Sequence, residues 1–219
     1  MQLYYITDRT QFAGDERGRR STLLAKIAEA ARWGVDFIQL REKDLPTNEL
    51  ESLARSAVEI VRKQAPQTAG SGRRTRILIN SRTDVAIASM ADGVHLRSDD
   101  ISPRDARNVW KQSVLDGEGS NPLIGVSCHS QSEVAKARFE GADFAVFAPV
   151  FEKRETPGAI PAGLEALRKA CRENIRVFAL GGITVENAGS CLEAGAAGIA
   201  GIRLFQQADI RSVVARLRP

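Results

Sequence analysis

Short runs of apolar and β-branched residues alternate with longer stretches of helical periodicity from one end of the chain to the other. The short runs predict strands at Leu3–Ile6, Val35–Leu40, Arg76–Ile79, Gly93–Leu96, Leu123–Val126, Asp143–Phe147, Arg176–Leu180 and Gly198–Ile202. They have strand length and are bounded by charged or turn-forming residues. Between them apolar residues recur at helical spacing, most clearly over Thr22–Trp33, Thr47–Lys63, Ser130–Phe139 and Thr184–Glu193. Three of these stretches open on residues suited to cap a helix: Thr47-Asn-Glu, Ser130-Gln-Ser-Glu133 and Thr184-Val-Glu. Eight such units in 219 residues give about 27 residues each, the size of a tight βα repeat.

The units also echo one another. WGVDFIQL (33–40), MADGVHL (90–96), EGADFAVF (140–147) and AGAAGIAGI (194–202) each place a small residue at a helix end before a strand. They recur every 50 to 57 residues, which is on alternate units. That suits a closed barrel, whose alternate strands fill alternate core layers. An open doubly wound sheet would carry a Gly-rich dinucleotide turn after its first strand. Here TDRTQFAGDERG follows instead, without a G-x-G-x-x-G. The pattern therefore predicts an α/β fold, a single-domain (β/α)8 barrel over residues 1–219.

A barrel of this kind keeps its chemistry where strands run into helices. Those ends read TDR (7–9), QLREKD (39–44), NSR (80–82), HLRSDD (95–100), SCHS (127–130), APVFEKRETPG (148–158), GGIT (181–184) and GIR (201–203). The opposite rim holds QTAGSGRRTR (67–76) and DGEGSNP (116–122), which read as flexible linkers. Nearly every unusual polar residue falls on the first rim, which is where the site is expected.

Composition narrows the function classes. With 43% hydrophobic residues the chain can bury one sizeable core. Its 31 basic and 27 acidic residues leave +4, and the pI is about 9.2. The densest basic stretches, DERGRR (15–20) and GRRTR (72–76), have no interleaved aromatics and read as solvated loops. With aromatics at only 5%, this argues against a nucleic-acid partner but leaves small anionic substrates compatible. Cys128, Cys171 and Cys191 are odd in number and lack metal-ligand spacing, which points to a reducing compartment. No signal peptide or membrane-length apolar run is present, so a cytoplasmic protein without membrane contact is expected. A homo-oligomer is left open.

Within the expected rim, GGIT and GIR have a specific physical use. Glycines let backbone N–H groups approach an anion, and a helix N-terminus adds its dipole. The plainer alternative is that Gly181 and Gly182 permit a tight turn. Arg41 and Lys43 can form a second anion site, and Asp100, beside Asp99, can carry Mg²⁺ against that anion. For these charges the alternative is a solvated loop. Of the two histidines, His95 alternates with Val94 and Leu96 as a core residue would, whereas His129 precedes a helix cap and is better placed for proton transfer. Cys128 reads as a small packed residue.

Taken in order, these motifs resemble the thiamine phosphate synthase family, which includes a thiazole tautomerase branch. The matching stretches are LYYITDR, DFIQLREKDL, ILINSRTDVAIASMADGVHL, IGVSCHS, GADFAVFAPVF, FALGGIT and AGAAGIAGI, from residue 3 to residue 205. The resemblance implies that an aminopyrimidine methyl diphosphate and a thiazole phosphate are joined to thiamine phosphate with loss of pyrophosphate. It implies a dissociative course, in which pyrophosphate leaves before the thiazole nitrogen attacks. By the same resemblance Gln39 holds the pyrimidine, and Arg41 and Lys43 neutralise the departing pyrophosphate with Asn80. Asp100 ligates Mg²⁺, Ser127 lines the pocket, and Gly182 with the backbone of Ile202 and Arg203 binds the thiazole phosphate.

Three positions depart from that family's pattern. Ser81 stands where a metal-binding aspartate is expected, and a hydroxyl is a poorer ligand for a hard dication. FEKRETPG replaces a Thr-x-Thr-Lys loop after the sixth strand, with Lys153 and Arg154 keeping positive charge there. Arg203 stands where a serine is usual. In the tautomerase branch a histidine at the place of His129 does acid–base work without metal or pyrophosphate. That branch, and a barrel that binds such phosphates without turnover, are the alternatives to the synthase.

Overall fold

Eight parallel strands pair in chain order, and the last closes on the first. They are β1 (Gln2–Ile6), β2 (Phe37–Leu40), β3 (Arg76–Asn80), β4 (Gly93–Leu96), β5 (Leu123–Cys128), β6 (Phe144–Phe147), β7 (Arg176–Ala179) and β8 (Gly198–Gly201). The structure is a computed structural model and describes residues 1–64, 74–113, 121–152 and 160–218. Around the barrel run α1 (Glu16–Arg32), α2 (Thr47–Lys63), α3 (Thr83–Ala88), α4 (Pro103–Ser113), α5 (Gln131–Phe139), α6 (Gly163–Cys171) and α7 (Ala188–Glu193). After β8 come a single turn, α8 (Arg203–Gln206), and then α9 (Ile210–Leu217). The expected (β/α)8 barrel is the observed fold. No helix among the described residues is long and apolar enough to cross a membrane.

The helices form where an apolar stripe meets the barrel. In α2, Leu50, Leu53, Ala54, Ala57, Val58 and Val61 are buried, a spacing of three and four that keeps one face on the strands. Two helices, α1 and α7, begin well away from where the sequence pattern placed them. DERGRR is the start of α1 rather than a loop. Asp15 caps it by accepting the Gly18 N–H at 2.8 Å, and Arg20 pairs with Glu16 at 2.6 Å on the exposed face. The apolar stripe begins only at Leu23, which is why the basic first turns looked like loop. Thr184 does not cap α7 but closes a turn with Asn187 four residues before the helix begins, through Thr184 N–Oδ1 at 2.8 Å and Asn187 N–Oγ1 at 3.3 Å. Thr47 is likewise the first residue of α2 rather than its cap, and accepts from Arg82 at 2.9 Å. Ser130 caps α5 as expected, accepting the Glu133 N–H at 3.2 Å. The linkers at 67–73 and 116–120 lie outside the described residues.

Inside the barrel the pleat stacks side chains from alternate strands in layers. Tyr4, Phe37, Phe144 and Phe178 fill the lower part, with ring centroids 5.2 to 5.9 Å apart. Room for them comes from Gly125, where a Cβ would stand 2.4 Å from the Phe144 ring. Above this aromatic floor the inward positions turn polar: Gln39 and His95, then Asn80 and Ser127, then Arg41 and Arg97.

Candidate functional site

Over the aromatic floor opens a cavity of about 570 Å³ at the C-terminal ends of the strands. Gln39, Arg41, Lys43, Asn80, Ser127, His129, Gly181, Gly182, Ile202 and Arg203 all line it, so nearly every residue expected at the site lies on one rim. Lys153 and Arg154 lie outside the described residues. Asp100 does not line this cavity. Its Oδ2 accepts the Arg97 N–H at 2.7 Å, which turns the carboxylate back on its own loop, and it borders a smaller cleft toward α5. Its neighbour Asp99 lines the main cavity instead.

The run QLREKD resolves into two faces. Arg41 and Lys43 point to the cavity, whereas Glu42 and Asp44 turn to Arg9. Glu42 is buried. It accepts from the Thr7 hydroxyl at 2.5 Å, from the Arg9 N–H at 2.9 Å and from Arg9 Nη1 at 3.2 Å. Asp44 receives both Nη groups of Arg9, at 2.6 and 2.9 Å, and Glu16 takes Nε at 2.8 Å. The Thr7 hydroxyl also accepts the Arg41 N–H at 3.0 Å, tying the cavity face to this network. The acidic half of the run therefore holds the loop, while the basic half meets no carboxylate partner among the described residues. Burial lowers the pKa of the Arg41 guanidinium, and the neighbouring Arg97 adds to this. Lys43 is lowered first by Arg41, then by burial and by Arg97. Asp8 acts in the opposite sense on both groups, and Glu42 does so on Arg41.

A second network runs through the barrel interior. The Gln39 amide donates to the Tyr4 hydroxyl at 3.3 Å, and that hydroxyl lies 3.1 Å from His95 Nδ1. His95 Nε2 lies 2.9 Å from Ser127 Oγ. Burial, helped by the Arg41 charge, pushes the His95 pKa down to about 3, so the ring is neutral near pH 7. Among the described residues Nδ1 is the acceptor that the buried Tyr4 hydroxyl meets, Gln39 being a donor to it, so the hydroxyl hydrogen goes to Nδ1. Nε2–H then donates to Ser127, whose hydroxyl hydrogen is left for the cavity. His95 is the satisfied core residue that its alternation suggested, and it fixes Ser127 as a donor.

His129 has a different setting. Nδ1 donates to the Ala148 carbonyl at 2.7 Å, so in the neutral ring the lone pair is on Nε2, and the residue lines the cavity. Cys128 is buried outside the cavity lining and its thiol is pushed up to about 12, which fits packing rather than nucleophilic chemistry.

On the far wall Gly182 has φ +63°, and a Cβ there would sit 2.5 Å from the Glu152 carbonyl oxygen. Only glycine fits this turn without displacement. Asn187 Nδ2 braces it by donating to the Gly182 carbonyl at 2.9 Å. Arg203 borders both the cavity and an adjoining cleft of about 500 Å³ lined by α9 residues.

The donor set does not fit a carboxylate-held Mg²⁺. Among the described residues no three His, Cys, Asp or Glu side chains gather into a metal-holding group. Ser81 offers only a hydroxyl, at a left-handed φ of 60°, and receives the Asn80 amide at 3.1 Å. Asp99 and Asp100 already face a cation, since Arg97 Nη2 lies 2.8 Å from Asp99 and Nε lies 3.6 Å from Asp100. Sequence reasoning passed over Arg97, Tyr4 and the Arg9–Glu42 pair. For Arg97 a signal existed: Asp36, Gln39 and Arg41 recur as Asp92, His95 and Arg97 at a constant offset of 56 residues.

Comparison with known proteins places the whole barrel in one group. The family model described as thiamine monophosphate synthase matches residues 3–205. A putative thiamine-phosphate synthase of Geobacter sulfurreducens is 41% identical over 203 residues, covering 90% of this chain and 83% of that protein. A thiamine-phosphate synthase of Methanoculleus marisnigri is 36% identical over 219 residues, covering 99% and 93%. The solved thiamine phosphate pyrophosphorylase from Pyrococcus furiosus superposes with a TM-score of 0.78 at 30% identity, covering 99% of this chain and 93% of that one.

Proposed function

This chain belongs to the thiamine monophosphate synthase family, and from that membership we propose that it joins a pyrimidine methyl diphosphate to a thiazole phosphate, releasing pyrophosphate. The observation that carries the reading is the division of QLREKD. Arg41 and Lys43 face the cavity without carboxylate partners among the described residues, while Glu42 and Asp44 are engaged by Arg9. In this reaction the bond from the methylene carbon to the diphosphate oxygen breaks, and its electron pair leaves on pyrophosphate. The thiazole nitrogen lone pair then forms the new C–N bond. No proton transfer is required, and the catalytic demand falls on groups that stabilise charge developing on the leaving oxygens.

In this reading Arg41 and Lys43 take the diphosphate, with Asn80 beside them. Gln39 has given one N–H to Tyr4 and offers its remaining amide groups to the pyrimidine. Ser127 donates its hydroxyl hydrogen to a substrate acceptor. Gly181, Gly182 and the backbone at Ile202 and Arg203 take the thiazole phosphate. The donor set gives no step to a carboxylate-held Mg²⁺. The same reading takes residues 1–219 as one domain with one site for small phosphorylated substrates.

The test is incubation with both substrates. Thiamine phosphate and pyrophosphate should appear in equal amounts, and neither should form when one substrate is omitted. Failure to form either product sinks the proposal.

One observation favours a second reading. His129 lines the cavity with Nδ1 donating to the Ala148 carbonyl, which leaves Nε2 for the proton transfer an acid–base isomerase would need. Supplied with a thiazole carboxylate phosphate alone, such an enzyme would isomerise it, and His129→Ala would remove the activity by about a hundredfold. The synthase reaction would be nearly indifferent to that change.

A further inference from the structure

Arg97 occupies an unusual position. It follows β4 as Arg41 follows β2, and both line the cavity. Its guanidinium lies between two carboxylates, with Nη2 at 2.8 Å from Asp99 and Nε at 3.6 Å from Asp100. It is close enough to the other cations to lower both Arg41 and Lys43. Among the described lining residues Asp99 is the one carboxylate, against the cationic side chains of Arg41, Lys43, Arg97 and Arg203.

A dication bound by two carboxylates would act by bridging them to diphosphate oxygens. A guanidinium can make the same bridge. Of its five N–H donors, those of Nη1 and the second on Nη2 are left once Asp99 and Asp100 are met. They lie in one plane, which suits two oxygens of a diphosphate. Meanwhile Ser81 removes a carboxylate that would compete with the anion.

We infer that Arg97 bridges the Asp99–Asp100 pair to the substrate's diphosphate, so that this chain binds and releases pyrophosphate without a divalent metal. The inference rests on the synthase reading for its substrate. Its distinguishing claim concerns the diphosphate site alone, and that claim can be read without turnover.

The experiment titrates inorganic pyrophosphate into the full chain in a metal chelator and follows heat. Wild type should bind. Arg97→Ala should bind at least about tenfold more weakly, and Arg97→Lys should recover part of the loss, since charge returns without the fork. Arg97 is half-exposed, and thermal melting of each variant checks that the fold is kept. In parallel, pyrophosphate release from the two substrates is measured with chelator and with Mg²⁺. Wild type should be indifferent within about twofold, while Arg97→Ala should fall by about a hundredfold in chelator. The pair Arg97→Ala with Ser81→Asp frees and adds carboxylates, and should make release depend on Mg²⁺. Wild-type binding that needs Mg²⁺, or Arg97→Ala that binds like wild type, overturns the inference. If no pyrophosphate is ever released yet binding in chelator follows Arg97, the synthase reading fails and the Arg97 site stands. If release occurs only with Mg²⁺, the synthase reading stands and this inference falls.

Discussion

The two rims of the barrel use charge in opposite ways. On the rim where strands begin, Asp36, Asp92 and Asp143 each accept the N–H of the neighbouring strand, from Leu3, Ile77 and Ile124, at 2.7, 2.8 and 2.7 Å. Each also pairs with an arginine: Arg218, Arg74 and Arg107. Every one of these carboxylates is matched within the chain, so on this rim the acidic groups join strands. On the rim where strands end, Arg41 and Lys43 form no ion pair with a carboxylate among the described residues, and the Arg41 charge lowers the pKa of Lys43. Charge matched across strands marks a seam of the fold, whereas the other rim gathers Arg41, Lys43 and Arg97 around one cavity.

The sharpest way to break this comparison lies within a single loop, because Glu42 is matched and its neighbour Arg41 is not. Removing Glu42 leaves the 4% exposed Arg9 side chain short of its buried partner and frees Thr7 and the Arg9 N–H. Breaking a buried pair costs about 3–5 kcal/mol. Asp44 and Glu16 still hold Arg9, so Glu42→Ala should lose about 3 kcal/mol in urea unfolding. A loss below about 1 kcal/mol would show that Glu42 is not part of the seam.

Arg41→Ala should do the reverse. Pyrophosphate release should fall by about a hundredfold, equivalent to about 2.7 kcal/mol of barrier, with the unfolding midpoint unchanged. Arg41→Lys should rescue only in part. Full turnover in Arg41→Ala would reduce the cation pair to a solvated loop.

How legible these two roles were in the sequence follows from range. Arg41 and Lys43 were recognisable because they end a strand within one continuous motif. Glu42 was not, since its partners Thr7 and Arg9 stand 33 to 35 residues away. The adjacent tyrosines of LYYI show the same limit. Tyr4 joins the ring cluster inside the barrel and the chain to Ser127, whereas Tyr5 faces outward and donates to Gln206 at 3.0 Å. Local pattern gave the strand but not which tyrosine faced in. The strands themselves were legible to within two residues at either end, because a short apolar run between breakers leaves few alternatives. Arg97 was readable in principle through its echo of Arg41, but its loop differs enough to hide the match.

A third prediction concerns the interior chain, where burial rather than pairing sets the charge. His95 titrates near 6.5 when unfolded and at about 3 when folded. The folded ring resists the proton that the unfolded chain accepts. Its stabilising contribution is therefore complete above about pH 6.5 and is lost as pH falls toward 3. The expected slope approaches about 1.4 kcal/mol per pH unit for one proton. His95→Gln should flatten the acid side of the stability profile by that amount. Profiles of wild type and variant that stay parallel below pH 6 would place the proton elsewhere.

The smallest effect sharpens the comparison at the one seam where the matched pattern lapses. Ala197 donates its N–H to the Val177 carbonyl, as Asp36 does to Leu3, Asp92 to Ile77 and Asp143 to Ile124. It therefore holds the fourth equivalent position but has no carboxylate. The register between β7 and β8 runs only over Phe178–Gly198 and Ala179–Ile199. A carboxylate at 197 would be placed to accept the Val177 N–H, as its three counterparts accept theirs, with Arg176 next along the strand as a cation. Ala197→Asp should therefore raise unfolding stability by about 0.5–1.5 kcal/mol, the net worth of one hydrogen bond. The gain should be independent of substrate, since the change is on the rim opposite the cavity. The control is Asp92→Ala, which strips the Ile77 N–H of its acceptor and should lose about 1–3 kcal/mol. If Asp92→Ala destabilises while Ala197→Asp also destabilises, the fourth seam is closed by different means, and the four-fold echo stops at the third repeat.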